Sequence, residues 1–139
     1  MTHPVVREHD EAVLQAVETV GRPVAISDAP NGALDALLAG SGPGYYIIYP
    51  IGGGSRDGSV ADPYADIELT YQITCVDQGP EGVRWLSDQL EPKLAALSVP
   101  NRRVLWVRPT APSGIWPDND TAAQTLYFTT PTFRIRTAP

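Results

Sequence analysis

Residues able to do chemistry are few in this chain and poorly grouped. It holds two histidines (His3 and His9), one cysteine (Cys75) and one lysine (Lys93). A serine or cysteine nucleophile needs a base within hydrogen-bond reach, and both histidines fall among the first nine residues, away from any serine partner or further metal ligand. A lone cysteine excludes an internal disulfide and a cysteine-rich metal site. Cys75 also lies on the apolar side of an alternating stretch, so it reads as a small core residue; a reactive thiol would want exposure and a basic neighbour. Asp118-Asn119-Asp120 starts like a calcium loop, but the central glycine, later oxygen ligands and terminal glutamate are missing, so it reads as turn chemistry. The glycine run from Gly52 to Gly58 lacks the lysine and the helix start that a phosphate cradle requires. It reads instead as a flexible loop or docking arm, since glycines let a loop order itself against a partner. Asp66 and Glu68 read as solvated strand residues, and a paired-carboxylate site stays open. No cofactor and no metal are expected.

The stretch that must position everything else runs from Asp66 to Ser98. Ile67, Leu69, Tyr71, Ile73 and Cys75 alternate with Glu68, Thr70, Gln72 and Thr74, which predicts a half-buried strand. After the break at Asp77-Gln78-Gly79-Pro80, the apolar residues Val83, Leu86, Leu90, Leu94 and Leu97 fall on one helical stripe. Pro92 interrupts that pattern at a cost of about 3 kcal/mol, against about 1.5–3 kcal/mol for each buried leucine. The stripe keeps its register across Pro92, so one kinked helix is expected over two, with a restart at Glu91-Pro92 as the alternative.

Composition bounds the rest. A chain of 139 residues and 15.0 kDa, 42% hydrophobic, is expected to form a single domain over residues 1–139, with residues 1–9 as a flexible leader. Fourteen prolines and twelve glycines imply long loops around a modest framework. No basic start leads into an apolar run, and no run approaches the roughly 18 apolar residues of a membrane span, so the chain is expected to be made and folded in a cytosol, with no membrane partner. A net charge of −6 and a pI near 4.7 argue against gripping nucleic acid, which is done by neutralising phosphates with lysine and arginine. An acidic lining can still let DNA slide past.

In chain order, Asp10 is a plausible N-cap for a helix over residues 11–20 with Val13, Val17 and Val20 as its stripe, stopped at Gly21. Val24-Ala25-Ile26 suggests a short edge strand, and Ala33 to Leu38 a turn or two of helix. Tyr45-Tyr46-Ile47-Ile48-Tyr49 predicts a strand covered on both sides. Pro50 to Pro63 then reads as a polar connection, and antiparallel pairing of its two flanking strands would make a long hairpin arm. Arg102 to Val107 is a further strand. Thr110 to Asp120 is a second long loop, in which Trp116 is either folded back over the core or an interface anchor; Trp85 and Trp106 read as core or core-rim. Over Gln124 to Arg136 the apolar parity changes beside Thr130-Pro131, suggesting a bulge or bend near a sheet edge. The expected fold is α+β: a mostly antiparallel sheet of four to five strands, helices packed on one face, and a long hairpin arm.

This order of elements resembles the tail terminator (tail-completion, or minor tail) proteins of long-tailed bacteriophages. The likeness lies in an N-terminal helix, a first strand ending in a long loop, the alternating strand from Ala65 to Thr74, the helix carrying Arg84-Trp85-Leu86 and Leu90, and two closing strands. It spans nearly the whole chain and is one of pattern and length, without a diagnostic motif. The resemblance implies a non-enzymatic structural virion protein at the head-tail junction, assembled in the host cytoplasm. It would form a homohexameric ring that caps the tail tube and meets the head connector or stopper protein, with phage DNA passing through the lumen without specific binding. Gly52, Gly53, Gly54, Arg56 and Asp57 are then candidates for contacts within the ring or to the tail tube protein, and Ile115 and Trp116 for a second surface. The alternatives are another neck component, a stopper or adaptor, or a cytosolic α/β ligand-binding domain or enzyme.

Overall fold

Alternation in the central stretch becomes β3, Ile67–Asp77, whose buried face carries Ile67, Leu69, Tyr71, Ile73 and Cys75. The structure, a computed structural model, describes residues 4–55, 66–110, 114–118 and 125–139. β3 is followed by α3, Pro80–Ala95, one continuous helix through Pro92, which buries Val83, Leu86, Leu90 and Leu94. Pro80 occupies the first turn, where its missing N–H costs nothing, and Glu81 favours the positive helix end. Pro92 is exposed, so the carbonyl it leaves without a partner in the preceding turn lies on the wet side of the helix.

The remaining elements are α1 (Pro4–Glu18), β1 (Val24–Ile26), α2 (Ala33–Leu38), β2 (Tyr45–Ser55), β4 (Arg103–Pro109), β5 (Trp116–Asp118), β6 (Leu126–Thr129) and β7 (Thr132–Ala138). Among the described residues this makes an α+β fold with a seven-stranded sheet, larger than the four or five strands expected. β1 runs parallel to β2, and every other pairing is antiparallel. β3 lies between β2 and the β6/β7 line, with β5 outside β6 and β4 outside β7.

Four expectations are corrected by this arrangement. Residues 4–9 are helix and not part of a loose leader: α1 begins at Pro4, and its buried stripe of Ala12, Val13, Ala16 and Val17 extends back to His9, which is 1% exposed. Asp10 is therefore no cap; its carboxylate accepts the Tyr71 hydroxyl at 2.6 Å. Helices do not pack on one face only. α1 and α3 cover the face of Tyr46, Ile48, Tyr71 and Ile73, whereas Ala33 and Leu37 of α2 pack on Tyr45, Ile47, Val76 and Leu126 on the other. That two-sided cover is what the unbroken apolar run of β2 foretold.

Nor is there a bulge at Thr130-Pro131. Cys75 pairs with Thr129 and Gln72 with Thr132 in one unbroken register, and the Ile73 amide donates to the Pro131 carbonyl at 2.9 Å. Parity changes because the cover changes: Leu126 and Phe128 face α2, while Phe133 and Ile135 face α1 and α3.

Buried hydroxyls tie these layers together. Tyr46 donates to the Leu86 carbonyl of α3 at 2.7 Å, and Gln78 Nε2 donates to the Leu37 carbonyl of α2 at 2.6 Å. His9 joins α1 to β7. Its Nδ1 sits 2.6 Å from the Val5 carbonyl, so Nδ1 carries the proton, and Nε2 accepts from Thr137 Oγ1 at 2.7 Å. Thr137 Oγ1 in turn accepts from Arg102 Nε at 2.8 Å.

Candidate assembly interface

β2 and β3 form a ladder from Tyr45↔Val76 to Ser55↔Ile67. Gly52, Gly53 and Gly54, expected in a loop, are instead strand residues opposite Thr70, Leu69 and Glu68. Glycine has little strand propensity of its own, so the pairing is imposed by β3, whose Ile67 and Leu69 are anchored in the core. Between Pro50 and Gly52 the register shifts by one residue, and the extra residue, Ile51, is left 58% exposed. Gly52 takes φ +99°, a conformation that L side chains rarely adopt, and this lets the strand resume after the bulge. Arg56 and Asp57 lie outside the described residues.

Ile115 and Trp116 are placed at the other end of the sheet. Ile115 is half-buried against the main core, while Trp116, 57% exposed, stands on β5 opposite Phe128. It is neither in a loop nor folded over the core; its indole lies close over Gly114, where a Cβ would come within 3.2 Å of the ring. From the Gly53↔Leu69 pair to the Val76↔Phe128 pair is seven residues of β3, about 23 Å along the strand. The structure does not bring the two candidate groups together; they belong to separate surfaces.

Sequence reasoning missed other exposed apolar residues. Trp85, expected in the core or at its rim, is 43% exposed on α3, with the Arg22 guanidinium 4.8 Å from its ring centre. The signal was present, because position 85 falls off the stripe of Val83, Leu86 and Leu90. Leu105, 41% exposed, sits at a register shift in β4 that no periodicity announces. Trp106, expected in the core or at its rim, is half-buried on the other face of β4, opposite Arg136, with Arg108 stacked 4.4 Å from its ring centre.

Among the described residues, the perturbed titrations belong to buried or half-buried groups of the fold. Burial pushes the Tyr71 hydroxyl well up, helped by its hydrogen bond to Asp10, and burial likewise raises Tyr46 and the Cys75 thiol. Each is thereby kept neutral and unreactive. His9 is held below its ordinary value of 6.5, first by burial and then by the nearby Arg102 charge. A groove of about 720 Å³ runs between α3 and the ends of β4 and β7, lined by Asp88, Glu91, Pro92, Pro109 and Phe133 among others. Among the described residues that line it there is no histidine, cysteine, lysine or arginine. Among the described residues no three His, Cys, Asp or Glu side chains gather as a metal site, and no helix is long and apolar enough to cross a membrane.

No family model and no curated protein matches the sequence. The fold has counterparts among solved structures. A chain from the virion of a native gene transfer agent (GTA) particle superposes with a TM-score of 0.65 at 14% identity, covering 99% of this chain and 100% of its own length. A second solved chain, 18% identical over 97% of this chain and 96% of its own, reaches a TM-score of 0.44, too low to carry an argument. At 14% identity the first likeness establishes a shared fold, end to end, and that alone.

Proposed function

We propose that this chain is a structural subunit of a phage-like virion, and within that class a ring-forming tail terminator. The observation that carries the reading is the end-to-end fold likeness to a chain of a gene transfer agent virion. Two further features support it. The β2–β3 ladder leads to its glycine-bearing end at one extremity of the sheet while Trp116 stands exposed at the other, as a part that meets different neighbours on two sides requires. The strongly perturbed groups are core hydroxyls and a thiol, and the Thr137 hydroxyl that donates to His9 is fully buried with it.

In this reading the subunit works by shape. A hexameric ring closes the finished tail tube and offers its opposite surface to the head connector or stopper, at the head-tail junction of a particle assembled in the host cytoplasm. DNA passes through the centre, and the net charge of −6 disfavours its capture. Arm residues Gly52, Gly53, Gly54, Arg56 and Asp57 contact the ring or the tube, and Ile115 and Trp116 serve the second surface. The test is to mix the purified chain separately with tail tube protein and with head connector protein and to size the products. Rings that bind tube ends support the terminator. Rings that bind only the connector assign the chain to the stopper or adaptor instead.

A further inference from the structure

Charge is divided unevenly between the two sides of the sheet. On the side covered by helices, the outward surface of α3 repeats through positions 81, 84/85, 88 and 91/92. It carries exposed Glu81, Asp88 and Glu91, with exposed Arg84 and Trp85 between them and the Arg22 guanidinium over the Trp85 ring, so its uncompensated carboxylates gather at the Asp88–Glu91 end. On the opposite side, cross-strand register places arginines on one face, because paired residues share a face and residues two apart repeat it. Arg108 stands opposite Arg134, Trp106 opposite Arg136, and Arg103 opposite Ala138. Four of the chain's nine arginines thus share one sheet face in a protein of net charge −6. Arg103, Arg108 and Arg134 are exposed there.

Among the described residues, the carboxylates facing these arginines are Asp66 and Glu68. Asp66 holds Arg136 at 2.6 Å, and Glu68 lies 4.0 Å from Arg134, whose side chain is still 50% exposed. Two arginines directly opposite one another repel, and an outside carboxylate relieves that repulsion. Arg108 stacks on Trp106, 4.4 Å from the ring centre, so its planar fork is held in place for a carboxylate with little further ordering.

We propose that these two surfaces bind each other in successive copies of the chain: the carboxylate stripe of α3 in one copy sits on the arginine face of the next. This rests on the ring reading above and specifies the contact that builds the ring. The two surfaces lie on opposite sides of one sheet, so the contact is head-to-tail, the kind that closes into a ring when the rotation permits. Trp85, part exposed beside the Arg22 guanidinium, adds apolar area next to the carboxylates. The charges set register and reject wrong pairings more than they add affinity.

Charge exchange tests it. Asp88→Arg with Glu91→Arg reverses the helix surface, and Arg108→Glu with Arg134→Glu reverses the sheet surface. All four positions are exposed, and circular dichroism with thermal unfolding checks that each variant keeps the wild-type fold. Sedimentation velocity in 0.15 M salt is expected to show each reversal weakening self-association about a hundredfold. The chain carrying all four substitutions, and an equal mixture of the two variants, regain assembly. Asp88→Asn with Glu91→Gln gives a smaller loss in the same direction. The proposal is overturned if either folded reversal variant assembles like wild type, or if the four-substitution chain does not recover. It is also overturned if wild type binds a DNA duplex through the arginine face, with that binding lost in Arg108→Glu/Arg134→Glu. A wild-type chain that stays monomeric at all concentrations overturns the ring reading itself.

Discussion

The two halves of the β2–β3 ladder use the same backbone pairing for opposite ends. From Tyr45 to Tyr49 nearly every side chain is buried, with α1 and α3 on one side and α2 on the other. Past the bulge at Ile51 the same strand becomes Gly52-Gly53-Gly54-Ser55, paired to β3 but contributing almost no side-chain bulk. Packing on both faces determines the first half, whereas the glycines of the second are held in the ladder by their pairing with β3. The difference teaches where side-chain packing supplies stability and where backbone pairing continues without it.

Truncations separate the halves most sharply. Ile73→Ala, at a fully buried site opposite Ile48, is expected to cost about 2–5 kcal/mol, read from urea unfolding. Ile51→Ala, beyond the last well-packed pair, should stay within about 0.5 kcal/mol. Equal costs at the two sites would break the contrast. Pro92→Ala is expected to stabilise the isolated chain by about 1–3 kcal/mol, since it restores an interior helix hydrogen bond on an exposed turn. Thermal unfolding checks the sign, and destabilisation would mean that α3 is shaped around the proline.

His9 gives a pH signature confined to the rigid half. Its folded pKa lies below 6.5, so the neutral form is the one that folding favours. Its contribution is fully present above 6.5 and is lost as pH falls below that value and through the folded pKa. In a thermal series from neutral to mildly acidic pH, wild type should lose stability over that window, while His9→Gln starts about 1 kcal/mol lower and changes less. Identical slopes would remove His9 from the account. In the arm, Gly52→Ala, at φ +99° but with open space around its Cβ, should cost about 1–2 kcal/mol of strain and no clash. Replacing residues 56–65 by Asn-Gly should leave unfolding unchanged while abolishing assembly.

Much of the packed half was legible in the sequence. Strict alternation located β3 and put Cys75 in the core, and the leucine stripe carried α3 through Pro92 because burying four apolar side chains outweighs one broken helix bond. What escaped was wherever a residue's role came from its partner. His9 hid the start of α1, since a histidine looks polar until both ring nitrogens are satisfied at Val5 and Thr137. Glycines 52–54 have no period to read, and β3 alone draws them into the ladder. The parity change along β6 and β7 looked like a bulge, because a sequence cannot show that the covered face has switched from α2 to α1 and α3. Of the exposed tryptophans, Trp116 was singled out by type, whereas Trp85 was read as core or core-rim although its position off the leucine stripe marked it.

The central claim is that this chain acts by presenting shape to copies of itself and to neighbouring virion parts. Measuring the mass of the purified chain by sedimentation equilibrium, alone and with tail tube protein, tests it most directly. The account predicts a closed oligomer of defined mass that attaches to tube ends. A monomer that remains one at every concentration and never joins the tube would contradict it.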